Sequence, residues 1–129
     1  MIIKRRRGVI IVPTKKGILV VSEKKGVYML PGGGARKKES RKEAAIRELH
    51  EETGLEVKEI FHLFGYLGKK WNEKDVRNNT KVFLAKTKGK PKPSNEIKKI
   101  SFWKPGSSLN LTDGAKKSIE KYLKDYKKI

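Results

Sequence analysis

Residues 31–55 read PGGGARKKESRKEAAIRELHEETGL: three glycines, a helix-forming run, then Glu48, Glu51 and Glu52 with Gly54 closing the segment. A helix turns about 100° per residue, so positions i, i+3 and i+4 share a face and the three carboxylates fall within one sector. Like charges at this spacing oppose helix formation by roughly 0.2–0.5 kcal/mol per pair. Arg47, one turn before Glu51, relieves part of the repulsion, and no helical neighbour offers partners for all three. A multivalent positive charge over that face resolves the conflict. Oxygen ligands without Cys or His nearby suit a hard cation, Mg²⁺ or Mn²⁺; the plain alternative is a solvated acidic face.

The flanks predict how this stretch is held. Ser40 and Glu43 form a capping box and Gly54 suits a left-handed C′ position, which sets a helix over Arg41 to Thr53. Ile46 and Leu49 lie away from the acidic sector and should face a sheet. Upstream, GVIIV (8–12), ILVV (18–21) and VYML (27–30) are short apolar runs that read as strands, the first two buried on both faces. Downstream, residues 55–67 resume a strand pattern and residues 68–80 read as a polar loop. Residues 81–85 form another strand, 86–95 a proline-containing surface loop, and ISFW (100–103) a last strand. From Thr112 the spacing of Ala115, Ile119, Tyr122, Leu123 and Tyr126 is that of an amphipathic helix. The expected fold is α/β, one mixed sheet covered on both faces by helices, in one domain spanning residues 1–129.

Composition bounds the class. Lys and Arg number 33 against 14 Asp and Glu, a net charge of +19, and cysteine is absent. Disulfides and thiolate metal sites are therefore excluded. No apolar run approaches the length needed to cross a bilayer, and the basic start lacks a signal-peptide core, so a cytoplasmic protein without a membrane partner is expected. The positive charge points either to a polyanionic partner (nucleotide, RNA or DNA) or to a thermophile-like surface. The lysines run from Lys4 to Lys128, which argues against one dedicated nucleic-acid groove.

Gly33, Glu39, Arg47, Glu48, Leu49, Glu51, Glu52, Gly54 and Leu55 reproduce the pattern G-x5-E-x7-R-E-U-x-E-E-x-G-U, with U aliphatic, at every specified position. The chain thus resembles the Nudix family and, more narrowly, its MutT-like branch. The resemblance implies an α/β/α sandwich and metal-dependent hydrolysis of a nucleoside diphosphate linked to a group X, foremost a nucleoside triphosphate. ADP-ribose, dinucleoside polyphosphates and RNA 5′ ends are the alternatives, and a non-catalytic RNA-binding module is a distant one. Either a monomer or a homodimer is compatible.

Carried onto this chain, the resemblance implies metal ligation by Glu48, Glu51, Glu52 and the backbone carbonyl of Gly32. Arg47 would orient the glutamates, and Glu39 would either support that network or approach the metal. Gly33 and Gly34 allow a tight loop against substrate. The general base is left open among Glu51, Glu52 and Glu96, the last preceding the aromatic strand residue Phe102 by six positions. Trp71 either stacks on a base or tucks against the domain, and Arg6, within Arg5–Arg7, either grips phosphate or is solvated. His50 points away from the glutamates, and His62 among aromatic neighbours reads as structural.

Overall fold

Alternation along the first strand sets the layers of the molecule, whose computed structural model describes residues 3–69 and 75–127. In β1 (Ile3–Ile11) and just beyond it, Val9 and Ile11 belong to one buried cluster, while Ile10 and Val12 belong to another on the opposite face. The same two-residue period divides β3 (Gly17–Lys24), where Ile18 and Val20 join the first cluster and Leu19 the second. A run apolar at every position is what strands buried on both faces require.

Helix α1 (Arg41–Thr53) closes the second face with Ala45 and Leu49, and Ile46 is half-buried at its side. Its limits are those its caps predict. Ser40 Oγ accepts from the Glu43 amide, Glu43 accepts from the Ser40 amide, and Gly54 sits left-handed at φ 76° with its amide on the His50 carbonyl. Helix α2 (Asp113–Asp125), capped by Thr112, covers the other face through Ala115, Ile119 and Tyr122.

The strands form two sheets rather than the single one expected. In the first, β5 (Gly32–Gly34), β1, β7 (Val76–Lys88) and β6 (Glu56–Leu67) lie side by side; β1 and β7 are parallel and the other pairs antiparallel. In the second, β3 pairs with β2 (Pro13–Thr14), β4 (Val27–Met29) and β8 (Lys99–Trp103). Both sheets feed both clusters, so the layering is still helix, sheet, helix.

One loop expectation is corrected at each end of β7. The predicted loop 68–80 ends early, because Val76–Thr80 pairs in parallel with Ile3–Arg7, and the strand then runs on through Lys86, Thr87 and Lys88. Pairing with a neighbour overrides the poor strand propensity of Asn78 and Asn79.

Close approach of α1 to the sheet depends on Gly8. A Cβ there would stand 2.0 Å from the Arg41 carbonyl oxygen and 3.1 Å from Ala45 Cβ. Gly8→Ala should therefore lower stability to urea by about 2–3 kcal/mol at an unchanged m-value. An unaltered midpoint would mean that α1 does not seat on β1 this closely.

Candidate metal and phosphate site

The end of α1 carries more negative charge than its own cations neutralise, and the surroundings sort the carboxylates into two groups. Arg47 takes the first. Its Nε and Nη2 donate to the two oxygens of Glu39 at 2.7 and 2.9 Å. Its Nη1 donates to Glu48 at 2.7 Å and Glu51 at 3.2 Å, and Nη2 also reaches the Gly34 carbonyl at 3.2 Å. One guanidinium thus ties three acids and the glycine strand together, using the planar fork that lysine lacks. The bidentate bond from Arg47 and the Arg36 amide hold the Glu39 carboxyl down to about 2. Glu39 and its neighbours hold the Arg47 guanidinium above its ordinary range.

Glu52 turns the other way. It is 1% exposed and accepts a 3.0 Å bond from the Gly32 amide. Burial pushes its carboxyl up to about 8, against the amide's opposing effect and with help from Glu48, Glu96 and Glu23. Burial also raises Glu48, with Arg47 working against it. Carboxylate oxygens of Glu23, Glu52 and Glu96 lie within 4.8 Å of one another. This all-oxygen cluster around a buried acid fits a hard divalent cation, which is also the simplest relief for three acids at that spacing.

Glu96 reaches Glu52 because its loop caps α1. The four terminal carbonyls of the helix find partners in Gly54 N (on His50), Asn95 Nδ2 (on Glu51), Ser94 N (on Glu52) and Lys92 N (on Thr53). The last three belong to the loop before β8, where Asn95 adopts the left-handed conformation that short amide side chains tolerate. Buried Ile97 and the Lys98 amide on the Ser22 carbonyl then anchor the loop beside the end of β3, which carries Glu23.

Gly33 is there for Glu48. A Cβ on it would stand 2.2 Å from Glu48 Oε2, so the carboxylate lies directly against the backbone of β5. Gly34 lies beside the Arg5 guanidinium.

The sequence-predicted residues therefore divide. Glu52 and Glu96 come together, with Gly32 bonded to Glu52, while Glu39, Glu48 and Glu51 share Arg47. Arg6 instead donates to the carbonyls of Arg36 and Glu39, which fixes the loop ahead of α1. Trp71 lies outside the described residues. His50 is exposed, and exposed His62 meets the Phe83 ring edge-on. Glu23 was missed: a lone acid ending an apolar strand carries no motif, and only the β3–β8 pairing brings it to Glu96.

A NUDIX domain family model matches residues 4–126. Among solved structures, a nudix hydrolase family member from Chromobacterium violaceum is 33% identical with a TM-score of 0.79, covering 93% of this chain and 77% of that one. The MutT protein of Bacillus halodurans is 23% identical at a TM-score of 0.78, covering 97% of this chain and 85% of that one. An ADP-ribose pyrophosphatase from Streptococcus suis is 22% identical at 0.64, covering 86% and 81%. The last two share the fold. Curated protein sequences give no match.

The elevated Glu52 has a sign-definite consequence in metal-free protein. An acid whose folded pKa is about 8 rather than 4.5 contributes its full stability below the lower value and loses it as pH rises through the higher one. Between about pH 5 and pH 8, unfolding free energy in chelator should fall by on the order of 4 kcal/mol, and Glu52→Gln should largely flatten the slope. Urea melts across that range provide the measurement; a wild-type slope that persists in the variant would place the titrating group elsewhere.

Proposed function

The chain belongs to the Nudix family of pyrophosphohydrolases, and from that premise we propose that it cleaves the pyrophosphate linkage of nucleoside triphosphates with a divalent cation, Mg²⁺ or Mn²⁺, in the cytoplasm. The convergence of Glu23, Glu52 and Glu96 beside the Arg47 network carries this reading. A pyrophosphate is a poor electrophile because its oxygens repel an incoming nucleophile. A bound divalent cation neutralises that charge and lowers the pKa of a water ligand.

Glu52, with Glu23 and Glu48, is the set we assign to hold the cation. Arg47 is a positioning residue: it fixes Glu48 and Glu51 while Glu39 fixes it in turn. Glu96 is exposed on its capped loop next to Glu52, and is assigned to accept the proton from the attacking water. The β5 backbone, bare of side chains at Gly33 and Gly34, lets the Glu48 carboxylate and the Arg5 guanidinium lie directly against it. The rest is positioning and electrostatics, as phosphoryl transfer demands.

The assignments separate in kinetics. Glu96→Gln should cost about 10²–10⁴ in kcat with cation affinity retained. Arg47→Gln should cost about 10–100-fold, the range for groups that orient metal ligands. Glu52→Gln should exceed that and weaken cation binding as well. Release of phosphate products with Mg²⁺ should be fastest on nucleoside triphosphates in a panel with ADP-ribose, dinucleoside polyphosphates and 5′-triphosphate RNA. Preferred turnover of another member would overturn the substrate assignment, and a silent panel would overturn the activity.

A further inference from the structure

The buried cluster under α1 runs on past the end of the helix. Ala45 and Leu49 cover one part of it, but α1 ends at Thr53, and Leu19, Leu55, Ile100 and Phe102 continue the cluster beyond. There they floor a groove of about 660 Å³, within the usual range for small-molecule sites. The rest of its lining comes from two separate segments. The turn between β2 and β3 contributes Lys15 and Lys16, and the strap that follows β7 contributes Lys90, Pro91 and Pro93.

Floor and rim differ in chemistry. The four floor side chains present only hydrocarbon. Thr14 Oγ1 at the edge is already used, donating to the Gly17 carbonyl at 2.7 Å and accepting from the Lys16 amide at 3.1 Å. Lys15, Lys16 and Lys90 are exposed, and none of them forms an ion pair among the described residues. The Lys16 ammonium stands 5.7 Å from the centre of the Phe102 ring, so positive charge hangs over the aromatic part of the floor.

We propose that this groove binds a small anionic amphiphile, a monocarboxylate whose hydrocarbon lies on Leu19, Leu55, Ile100 and Phe102 and whose carboxylate meets the three lysines. An uncharged apolar ligand would leave the ammonium groups repelling one another. A nucleobase would bring edge donors and acceptors to a floor with nothing to pair them.

Occupancy also bears on Glu96. Along the strap, Pro91 and Pro93 line the groove, while the amides of Lys92 and Ser94 between and after them donate to the Thr53 and Glu52 carbonyls. Alternate residues thus face the ligand and the helix end. A ligand packed on the prolines holds the strap on α1, and Glu96 with it. The groove is nevertheless apart from the acidic cluster: Leu19 and Glu23 are four residues apart on β3, about 13 Å. Its existence does not depend on the proposed activity.

Calorimetry of the whole protein with hexanoate, octanoate, octanol and octylammonium tests the assignment without turnover. Octanoate should bind about two- to fourfold tighter per added methylene than hexanoate, and at least tenfold tighter than octylammonium. The double variant Lys16→Glu, Lys90→Glu should weaken octanoate at least tenfold. Both sites are exposed and lie beyond a Debye length from the acidic cluster, so the melting temperature should not change and nucleoside triphosphate hydrolysis should stay within about twofold. Saturating octanoate should slow amide exchange at Lys92 and Ser94 at least fivefold. Equal binding of octanoate and octylammonium, affinity that survives the double variant, or slowed exchange confined to other segments overturns the proposal. So does octanol binding as tightly as octanoate, because the lysines would then only shield the apolar floor. Octanoate binding of this pattern in a protein that hydrolyses nothing would remove the proposed activity and leave the groove standing.

Discussion

A single guanidinium decides how the acidic end of α1 is arranged. Arg47 has enough donors for Glu39, Glu48 and Glu51 and for the Gly34 carbonyl, and it uses them all. Glu52 receives none of that compensation. It goes into the protein with one backbone amide for company and faces two further acids from distant segments. A helix with one arginine fewer would leave Glu39, Glu48 and Glu51 uncompensated, and one with a second arginine near Glu52 would be neutral and unable to attract a cation. The observed balance leaves Glu52 buried without an ion pair among the described residues, its carboxyl raised to about 8, where a divalent ion would let it ionise.

Placement of Glu96 follows from an unrelated requirement. The last four carbonyls of any helix lack intrahelical partners, and here the loop before β8 supplies three of the four. A structural need at the helix terminus thus brings a carboxylate from residue 96 to the side of residue 52. The loop cannot drift without uncapping α1, so its hydrogen bonds to the helix end hold the acid against the repulsion of like charges that would otherwise expel it.

How much of this can be read in the chain depends on whether the signal is local. Ser40, Glu43 and Gly54 act within a few residues, and the helix begins and ends where they say. The nine-residue pattern carries Arg47 and its acids for the same reason. Residues 76–80 carry no such signal: their polar side chains look like a loop until Ile3–Arg7 pairs with them. Burial on both faces is legible in GVIIV and ILVV, but it is the same for strands of one sheet or two, so the division of the sheets was not. Glu23 becomes visible only when strands far apart in the chain are set side by side.

Strand β1 then explains how the acidic cluster and a buried arginine come to lie near each other. Side chains alternate along a strand, so Gly8 must face α1 and Arg7 must face α2. The missing side chain at Gly8 lets α1 approach the backbone of the sheet, which carries the acidic cluster in over β5. The residue before it places a cation on the opposite face, in a cavity of about 360 Å³ between the sheet and the first turn of α2, still within Coulombic reach of Glu48 and Glu52. A one-residue slip of β1 against β7 would exchange the two, placing an arginine under the helix and a glycine in the cavity. The register of that parallel pair, set by Val9 and Ile11 on one side and Ile10 and Val12 on the other, is therefore what keeps the acidic cluster and the neighbouring cavity in working relation.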